Sequence, residues 1–150
     1  MTDRIEKTIE LKAPVSRVWR ALTDHREFGT WFGVRVERPF VVGEVARGQK
    51  VDPCGGNARW EAVVQKMEPE RLFSFTWHPY AVDADEDSSK EPSTLVEFTL
   101  QKTPTGTLLR VVESGFDKLS PQRRAEAFPM HERGWSAQIG NIAQHVEQTP

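Results

Sequence analysis

The sequence predicts an α+β protein in which one curved antiparallel sheet is covered on one face by a long C-terminal helix. Apolar and polar residues alternate in three segments, "ARWEAVVQK", "RLFSFTWH" and "TLVEFTLQ", which is typical of strands with one buried face. In the C-terminal segment "HERGWSAQIGNIAQHVE" the apolar residues recur at helical spacing and form one stripe. Because such a sheet cannot cover its own apolar face, the helix has to lie on it.

The N-terminal third supplies the first strand and two short helices. "RIEKTIEL" alternates around Ile5, Ile9 and Leu11 and predicts the strand. In "APVSRVWRALTD" Pro14 stands at a helix start, and "HREFGTWFG" predicts a second helical turn that ends before Gly33. About eighty strand-like residues follow, and within them "TPTGT" predicts a hairpin turn.

Length and charge set limits on the function. The 150 residues, 37% of them hydrophobic, predict one domain spanning 1–150 with a single core. Twenty basic and 22 acidic residues give a net charge of −2, so neither nucleic acid nor an anionic membrane surface is an expected partner. The start "MTDRIEKTIEL" has no apolar signal segment, and no stretch approaches the roughly 20 apolar residues that span a bilayer. We therefore expect a cytoplasmic protein without membrane insertion; its oligomeric state is not predicted.

The sequence gives no sign of a metal or a cofactor. Its single cysteine, Cys54, and its four scattered histidines form no CxxC or HExxH motif, so no metal site is expected. "PCGGN", residues 53–57, predicts a hairpin turn, because the Lys-Ser/Thr pair and the helix of a phosphate-binding loop do not follow it. The acidic segment 83–91, "DADEDSSKE", predicts a solvated loop, with a flap over a cavity mouth as the alternative.

Apolar side chains from opposite walls define the candidate ligand-binding site. They either fill the interior completely or line a cavity, and the sequence leaves both open. The candidate ligand-binding residues are Trp31, Phe32, Trp60, Phe73, Phe75, Trp77, Phe98, Glu113, His131, Trp135 and Ile139.

Glu113 is the one candidate for chemistry among them. If Arg110 points to solvent, alternation in "LLRVVESGF" directs Leu109, Val111 and Glu113 inward. A carboxylate facing an apolar interior is costly unless it is paired, so we expect Glu113 to find a partner or to hold its proton with a raised pKa. It either anchors a ligand's polar group or moves a proton as a catalytic acid or base, or it is a structural residue at the strand's end that is bonded to the helix or partly solvated. The partners within consideration are Arg47, Arg59, His78, His131 and Gln138.

Two residues interrupt the pattern of the closing helix. Gly134 costs roughly 0.8–1.0 kcal/mol relative to alanine in a helix, and it predicts either a close approach to a neighbouring element or a role in shaping a cavity. Pro129 lacks a backbone donor, which predicts a kink or break near Phe128. The long helix would then begin near Pro129, after a separate short turn that starts beyond Ser120 and Pro121.

Four motifs carry a family resemblance. They are "APVSRVWRALTDHREFGTWF", "EPERLFSFTWHP", "GTLLRVVESGF" and "HERGWSAQIGNIAQHVE". With them the chain resembles a bacterial member of the family related to the C-terminal domain of the activator of the ninety-kilodalton heat-shock protein ATPase, in the START and Bet v 1-like superfamily. The resemblance covers nearly the whole chain. It implies a helix-grip fold, in which a bent antiparallel sheet and a long C-terminal helix enclose a largely apolar cavity.

The resemblance leaves three functions open. Members of the superfamily bind lipids, sterols, polyketides or other hydrophobic small molecules, some act on them, and the eukaryotic relatives regulate a chaperone. We expect a hydrophobic small molecule as partner, because an aromatic sheet face under a helix supplies an apolar lining. The alternatives are a cyclase-, dehydratase- or hydrolase-like enzyme that uses Glu113, and a chaperone-interacting regulator of that ATPase.

Overall fold

Seven strands and three helices make up the described part of the chain, residues 4–50, 59–78 and 92–148 of the computed structural model. The two segments predicted as a hairpin turn, 53–57, and as an acidic loop, 83–91, lie outside these residues. In chain order the elements are β1 (Arg4–Leu11), α1 (Val15–Thr23), α2 (His25–Phe32), β2 (Val34–Val36), β3 (Val45–Lys50), β4 (Arg59–Glu68), β5 (Leu72–Trp77), β6 (Thr94–Thr103), β7 (Gly106–Ser114) and α3 (Pro121–Gln148).

The seven strands form one sheet in the order β1-β7-β6-β5-β4-β3-β2. Every neighbouring pair is antiparallel. A register shift between Val64 and Lys66 in β4 is of the kind that bends a strand and increases its twist. Helix α3 lies against β1 and the two short helices. The predicted α+β class and helix-grip architecture are confirmed.

The two short helices are fixed to each other at one end of the sheet. The Asp24 carboxylate accepts hydrogen bonds from the backbone N–H groups of the first turn of α2, which caps that helix. Gly33 ends α2 with a φ of 87°, a left-handed conformation that favours glycine. The Trp31 indole donates to the Ala21 carbonyl at 2.8 Å. Phe28 and Trp31 on α2 thereby reach the core, where both are buried.

Strand β7 shows the alternation that the sequence predicts. Leu109, Val111 and Glu113 are buried, whereas Arg110 between them is partly exposed and pairs with Glu6 of β1 at 3.0 Å. The two-residue period of the strand therefore directs the Glu113 carboxylate into the same layer as the apolar core.

Helix α3 corrects the expectation drawn from Pro129. It runs without a break from Pro121 to Gln148 with Pro129 inside it. Proline removes one intrahelical hydrogen bond, and Pro129 lies on the exposed side, where water can satisfy the freed carbonyl. Packing just before it holds the helix: Ala127 is fully buried, and the Phe128 ring lies 5.1 Å from that of Phe116.

The two interpretations of Gly134 are also wrong. Gly134 is exposed, and a Cβ atom built on it would meet no heavy atom within 4 Å. Its neighbour Trp135 is the buried member of the pair, at 3% exposure. Successive helical residues are separated by about 100°, so the glycine faces solvent while the indole faces the sheet.

None of the described helices is long and apolar enough to cross a lipid bilayer.

Candidate functional site

Glu113 lies at the centre of the candidate site. Its side chain is 0% exposed. The Oε1 atom accepts hydrogen bonds from Trp135 Nε1 at 2.8 Å and from His131 Nδ1 at 2.7 Å. The Oε2 atom accepts from Trp77 Nε1 at 2.8 Å and from Thr94 Oγ1 at 2.5 Å. Two indoles, one hydroxyl and one imidazole therefore surround a single carboxylate, and we call these five residues the Glu113 cluster.

The register of three strands and the spacing of two residues on α3 bring the members of the Glu113 cluster together. Trp77, the last residue of β5, is directly opposite Thr94, the first residue of β6. Two residues further along β6, Val96 is opposite Glu113, so Thr94 and Glu113 are diagonal neighbours on one sheet face. On α3, His131 and Trp135 are four residues apart and share one helix face.

The electrostatics of Glu113 contradict the expectation of a raised pKa. Burial alone would raise it, but the hydrogen bond from His131, the charge that this imidazole carries when it is protonated, and the hydrogen bonds from Thr94 and Trp77 together hold the pKa of Glu113 below its usual value. Hydrogen bonds to the charged form favour it. Glu113 is therefore a carboxylate at neutral pH.

The carboxylate fixes the orientation of the His131 ring. An ionised carboxylate can only accept hydrogen bonds, so Nδ1 of His131 carries the hydrogen in the 2.7 Å contact. In the neutral ring Nε2 is then an acceptor. The His131 side chain is 13% exposed. The imidazole therefore lies at the edge of the core, in contact with the fully buried Glu113 carboxylate.

Four of the five partners considered for Glu113 lie elsewhere. Both Arg47 and Arg59 approach Glu61 on the outer face of β4, at 3.7 and 3.6 Å. His78 Nδ1 lies 3.3 Å from the Pro92 carbonyl. Gln138 donates to the Phe32 carbonyl at 2.9 Å. Of the five, the structure brings only His131 to Glu113.

The other predicted site residues form one continuous aromatic cluster. Those buried in it, each at 6% exposure or less, are Trp31, Trp60, Phe73, Phe75, Phe98 and Trp135. Their rings contact one another or Phe28, with centroids 5.1–6.5 Å apart. Ile139 is half-buried and packs against the same core. These rings pack against one another, and at the margin of the cluster the aromatic rings become partly exposed.

Three half-buried rings form that margin, and we call Phe32, Trp77 and His131 the aromatic rim. The Trp77 centroid lies 6.0 Å from that of Phe32 and 5.6 Å from that of His131. Beneath the rim is buried Trp135, whose centroid lies 6.1 Å from Phe32 and 5.8 Å from Trp77. The rim is an aromatic surface with one hydrogen-bonding group, the imidazole.

Thr94 is a site residue that sequence reasoning missed. It is fully buried, and it precedes Val96, Phe98 and Leu100 at strand period in "TLVEFTLQ". That alternation was the available signal, because it places Thr94 on the same inward face.

A second carboxylate–histidine pair was missed as well. Glu27 on α2 accepts from His145 Nε2 of α3 at 2.9 Å, and both Arg17 and Arg20 of α1 lie 2.7 Å from its carboxylate. Burial would raise the pKa of Glu27, but the hydrogen bonds from His145 and Arg17 and the charge of Arg17 hold it below its usual value. We call this set the Glu27 cluster; no local sequence pattern predicts it.

Other features of the described residues lie away from the Glu113 cluster. They contain no group of three or more His, Cys, Asp or Glu side chains that could hold a metal ion. A surface pocket of about 490 Å³ lies between the start of α1 and the β6–β7 turn, and is lined by residues that include Lys12, Ser16 and Lys102. This pocket is at the other end of β7 from Glu113 and contains none of the predicted site residues.

Fold and site together define a small helix-grip domain with a buried carboxylate where sheet and closing helix meet. The chain belongs to the family described as activator of Hsp90 ATPase homolog 1-like protein, which matches residues 12–147. The family resemblance read from the sequence is thereby confirmed. No curated protein matches the chain.

Solved structures share the fold over the whole chain. Protein MLL2253 from Mesorhizobium loti is 26% identical, with 98% of each chain covered and a TM-score of 0.77. DynU16, a protein of the dynemicin biosynthetic locus, is 25% identical with a TM-score of 0.74; the match covers 98% of this chain and 48% of DynU16. Protein NE0264 from Nitrosomonas europaea, 19% identical with 98% and 96% of the chains covered and a TM-score of 0.78, shows the fold alone.

Proposed function

We propose that the protein binds a small hydrophobic molecule between the sheet and α3, at the aromatic rim. The observation that carries the proposal is the half-buried state of Phe32 and Trp77 at the margin of a core whose other aromatic rings are almost all buried. Partly exposed rings around one polar group match the mostly apolar lining with few polar groups that small-molecule sites use.

Two further findings support a small molecule. The fold of this family is in general a ligand-binding fold, and DynU16 is a protein of the dynemicin biosynthetic locus. Aromatic contacts also supply affinity at little cost in side-chain entropy, because Phe32 and Trp77 are held in place by their neighbours before a ligand arrives.

The experiment is a titration with N-phenyl-1-naphthylamine, a flat neutral probe whose fluorescence rises in apolar surroundings. We expect saturable binding and quenching of tryptophan emission. Phe32→Ala should weaken binding about tenfold, since one aromatic pair contributes about 0.5–1.5 kcal/mol. The matched control is Trp19→Ala, because Trp19 is a half-buried aromatic residue on α1 whose loss should leave the affinity unchanged.

Equal weakening by both variants would mean that the probe reports general loosening of the core, and would contradict the proposal. Absence of saturable binding, together with stimulation of the ATPase of a ninety-kilodalton heat-shock protein, would favour the chaperone-regulating alternative that the family description suggests.

A further inference from the structure

The Glu113 cluster combines a buried anion with a partly exposed imidazole. Glu113 is 0% exposed and satisfied by four donors, while the His131 side chain keeps 13% exposure. A carboxylate behind an imidazole stabilises the imidazolium form and holds the ring in one tautomer. The Nε2 atom of His131 is therefore prepared to accept a proton.

The carboxylate does not compete for that proton. Trp77, Thr94 and Trp135 donate to its two oxygens, and these bonds stabilise the charged carboxylate. A proton added at Nε2 would give an imidazolium whose charge lies next to that of the Glu113 carboxylate. The pair becomes neutral overall, which avoids an isolated buried charge.

We propose that the site selects flat apolar ligands that carry a phenol or enol hydroxyl group, and that His131 Nε2 takes up the hydroxyl proton. This inference rests on the proposed function and specifies its ligand class. The O–H bond of the ligand breaks, its electron pair stays on the oxygen, and an N–H bond forms at Nε2. The ligand oxyanion is then bound next to the imidazolium that Glu113 supports.

The charged and titratable groups next in sequence to His131 or to its contacts come from several elements. Glu113 of β7 is bonded to it, and His78 lies just after β5. On α3 the neighbouring Glu132 is exposed and pairs with Lys7 of β1 at 3.5 Å. Among these groups, only His78 could take the same role as His131, and its ring bonds to a neutral carbonyl.

The test compares 4-nitrophenol with 4-nitroanisole, its methyl ether, which has the same ring but no hydroxyl proton. The phenolate form of 4-nitrophenol is yellow, so absorbance reports where the proton is. We expect 4-nitrophenol to bind about tenfold more tightly than the ether, a difference of about 1.4 kcal/mol. Bound 4-nitrophenol should ionise about one pH unit below the free probe, because of the neighbouring imidazolium.

His131→Gln should abolish the shift in ionisation, because the amide keeps a donor for Glu113 but has no base. His78→Gln is the matched control and should keep the shift; loss of the shift in this variant alone would overturn the assignment to His131. A second measurement needs no variant: nitrogen NMR of the wild-type protein should show His131 Nε2 gaining a hydrogen with 4-nitrophenol and not with the ether.

The possible failures are distinguishable. Binding of 4-nitroanisole and of protonated 4-nitrophenol with equal affinity would overturn this inference and leave the proposed function standing. If 4-nitrophenol, 4-nitroanisole and N-phenyl-1-naphthylamine all failed to bind, the inference and the proposed function would both be wrong.

Discussion

Among the described residues, two histidines of α3 each pair with a carboxylate from another element, Glu113 of β7 and Glu27 of α2, and the two negative charges are stabilised differently. In the Glu27 cluster the carboxylate is 22% exposed and lies between two arginines. In the Glu113 cluster it is fully buried, and its donors besides the imidazole are neutral indole and hydroxyl groups. With two arginines, the Glu27 cluster has more positive than negative charge, and it links the three helices. In the Glu113 cluster the His131 imidazole is the one donor to the carboxylate whose own charge can change.

The largest effect should come from Glu113→Gln. An amide has one accepting oxygen, so whichever way it faces, either Trp77 or Trp135 loses the acceptor for its indole N–H, which can only donate. A buried donor without a partner costs about 1–3 kcal/mol, and we expect a loss of about 3 kcal/mol in the free energy of unfolding, measured with urea.

The matched variant is Glu27→Gln, for which we expect about 1 kcal/mol, because water can reach the half-exposed Arg20 and the remaining oxygen can accept from the other donors. A gain in stability for Glu113→Gln would mean instead that the native carboxyl is protonated.

The next effect should appear in acid. Both glutamate pKa values are lowered in the folded protein, so the unfolded chain binds more protons between the folded and unfolded values. Their contribution is fully present above the unfolded pKa of about 4.3 and is lost as the pH falls through the folded pKa. Urea unfolding from pH 6 to pH 3 should therefore show falling stability, with a shallower slope in Glu113→Gln.

High salt separates the two pairs in the same experiment. The Debye length falls to about 3 Å at 1 M salt, so the partly exposed Glu27 cluster should lose much of its contribution while the Glu113 cluster keeps its own. Equal screening of both would contradict the difference in burial.

Replacing the histidines should give smaller and unequal losses. His131→Gln removes the charge that can face Glu113, and we expect a cost of about 1–2 kcal/mol; the pKa of the Glu113 carboxyl, followed by carbon NMR, should rise. His145→Gln leaves Glu27 with two arginines and should cost about 0.5 kcal/mol. Similar losses in the two variants would mean that the neutral donors alone hold the Glu113 charge.

Gly134→Ala should have the smallest effect, and a favourable one. The added methyl group enters open space, and alanine is favoured over glycine in a helix by roughly 0.8–1.0 kcal/mol. Thermal unfolding should show a higher midpoint, and the pH dependence should remain that of the wild type. A change in the pH dependence of stability would show that Gly134 affects the two carboxylate–histidine pairs through the helix.

Local periodicity made most of the fold predictable. Alternation identified the strands and directed Glu113 inward, because a strand has a period of two whatever it packs against. The break expected near Phe128 does not occur, because the expectation weighed one missing hydrogen bond without the contact between Phe128 and Phe116. The Gly134 expectation failed because the glycine was read together with Trp135, although adjacent helical residues face different directions.

The site was predictable only in part, for a related reason. His131 was among the partners considered for Glu113, but the direction of its pKa shift depends on three donors, His131, Thr94 and Trp77, from three elements, which no single segment reveals. The Glu27 cluster joins residues 118 positions apart, and Arg17, Glu27 and His145 stand in segments whose patterns predict only amphipathic helices.

The continuity of α3 has a consequence for the order of folding. The contact between Glu113 and His131 spans 18 residues, whereas that between Glu27 and His145 spans 118. Loop-closure entropy grows as about (3/2)RT ln n, so the long closure costs about 1.7 kcal/mol more. The hairpin of β6 and β7 can thus acquire α3 as a C-terminal nucleus in which Glu113 already contacts Thr94, His131 and Trp135. The N-terminal helices dock later, and they should be the first part to exchange their amide hydrogens when the native protein opens.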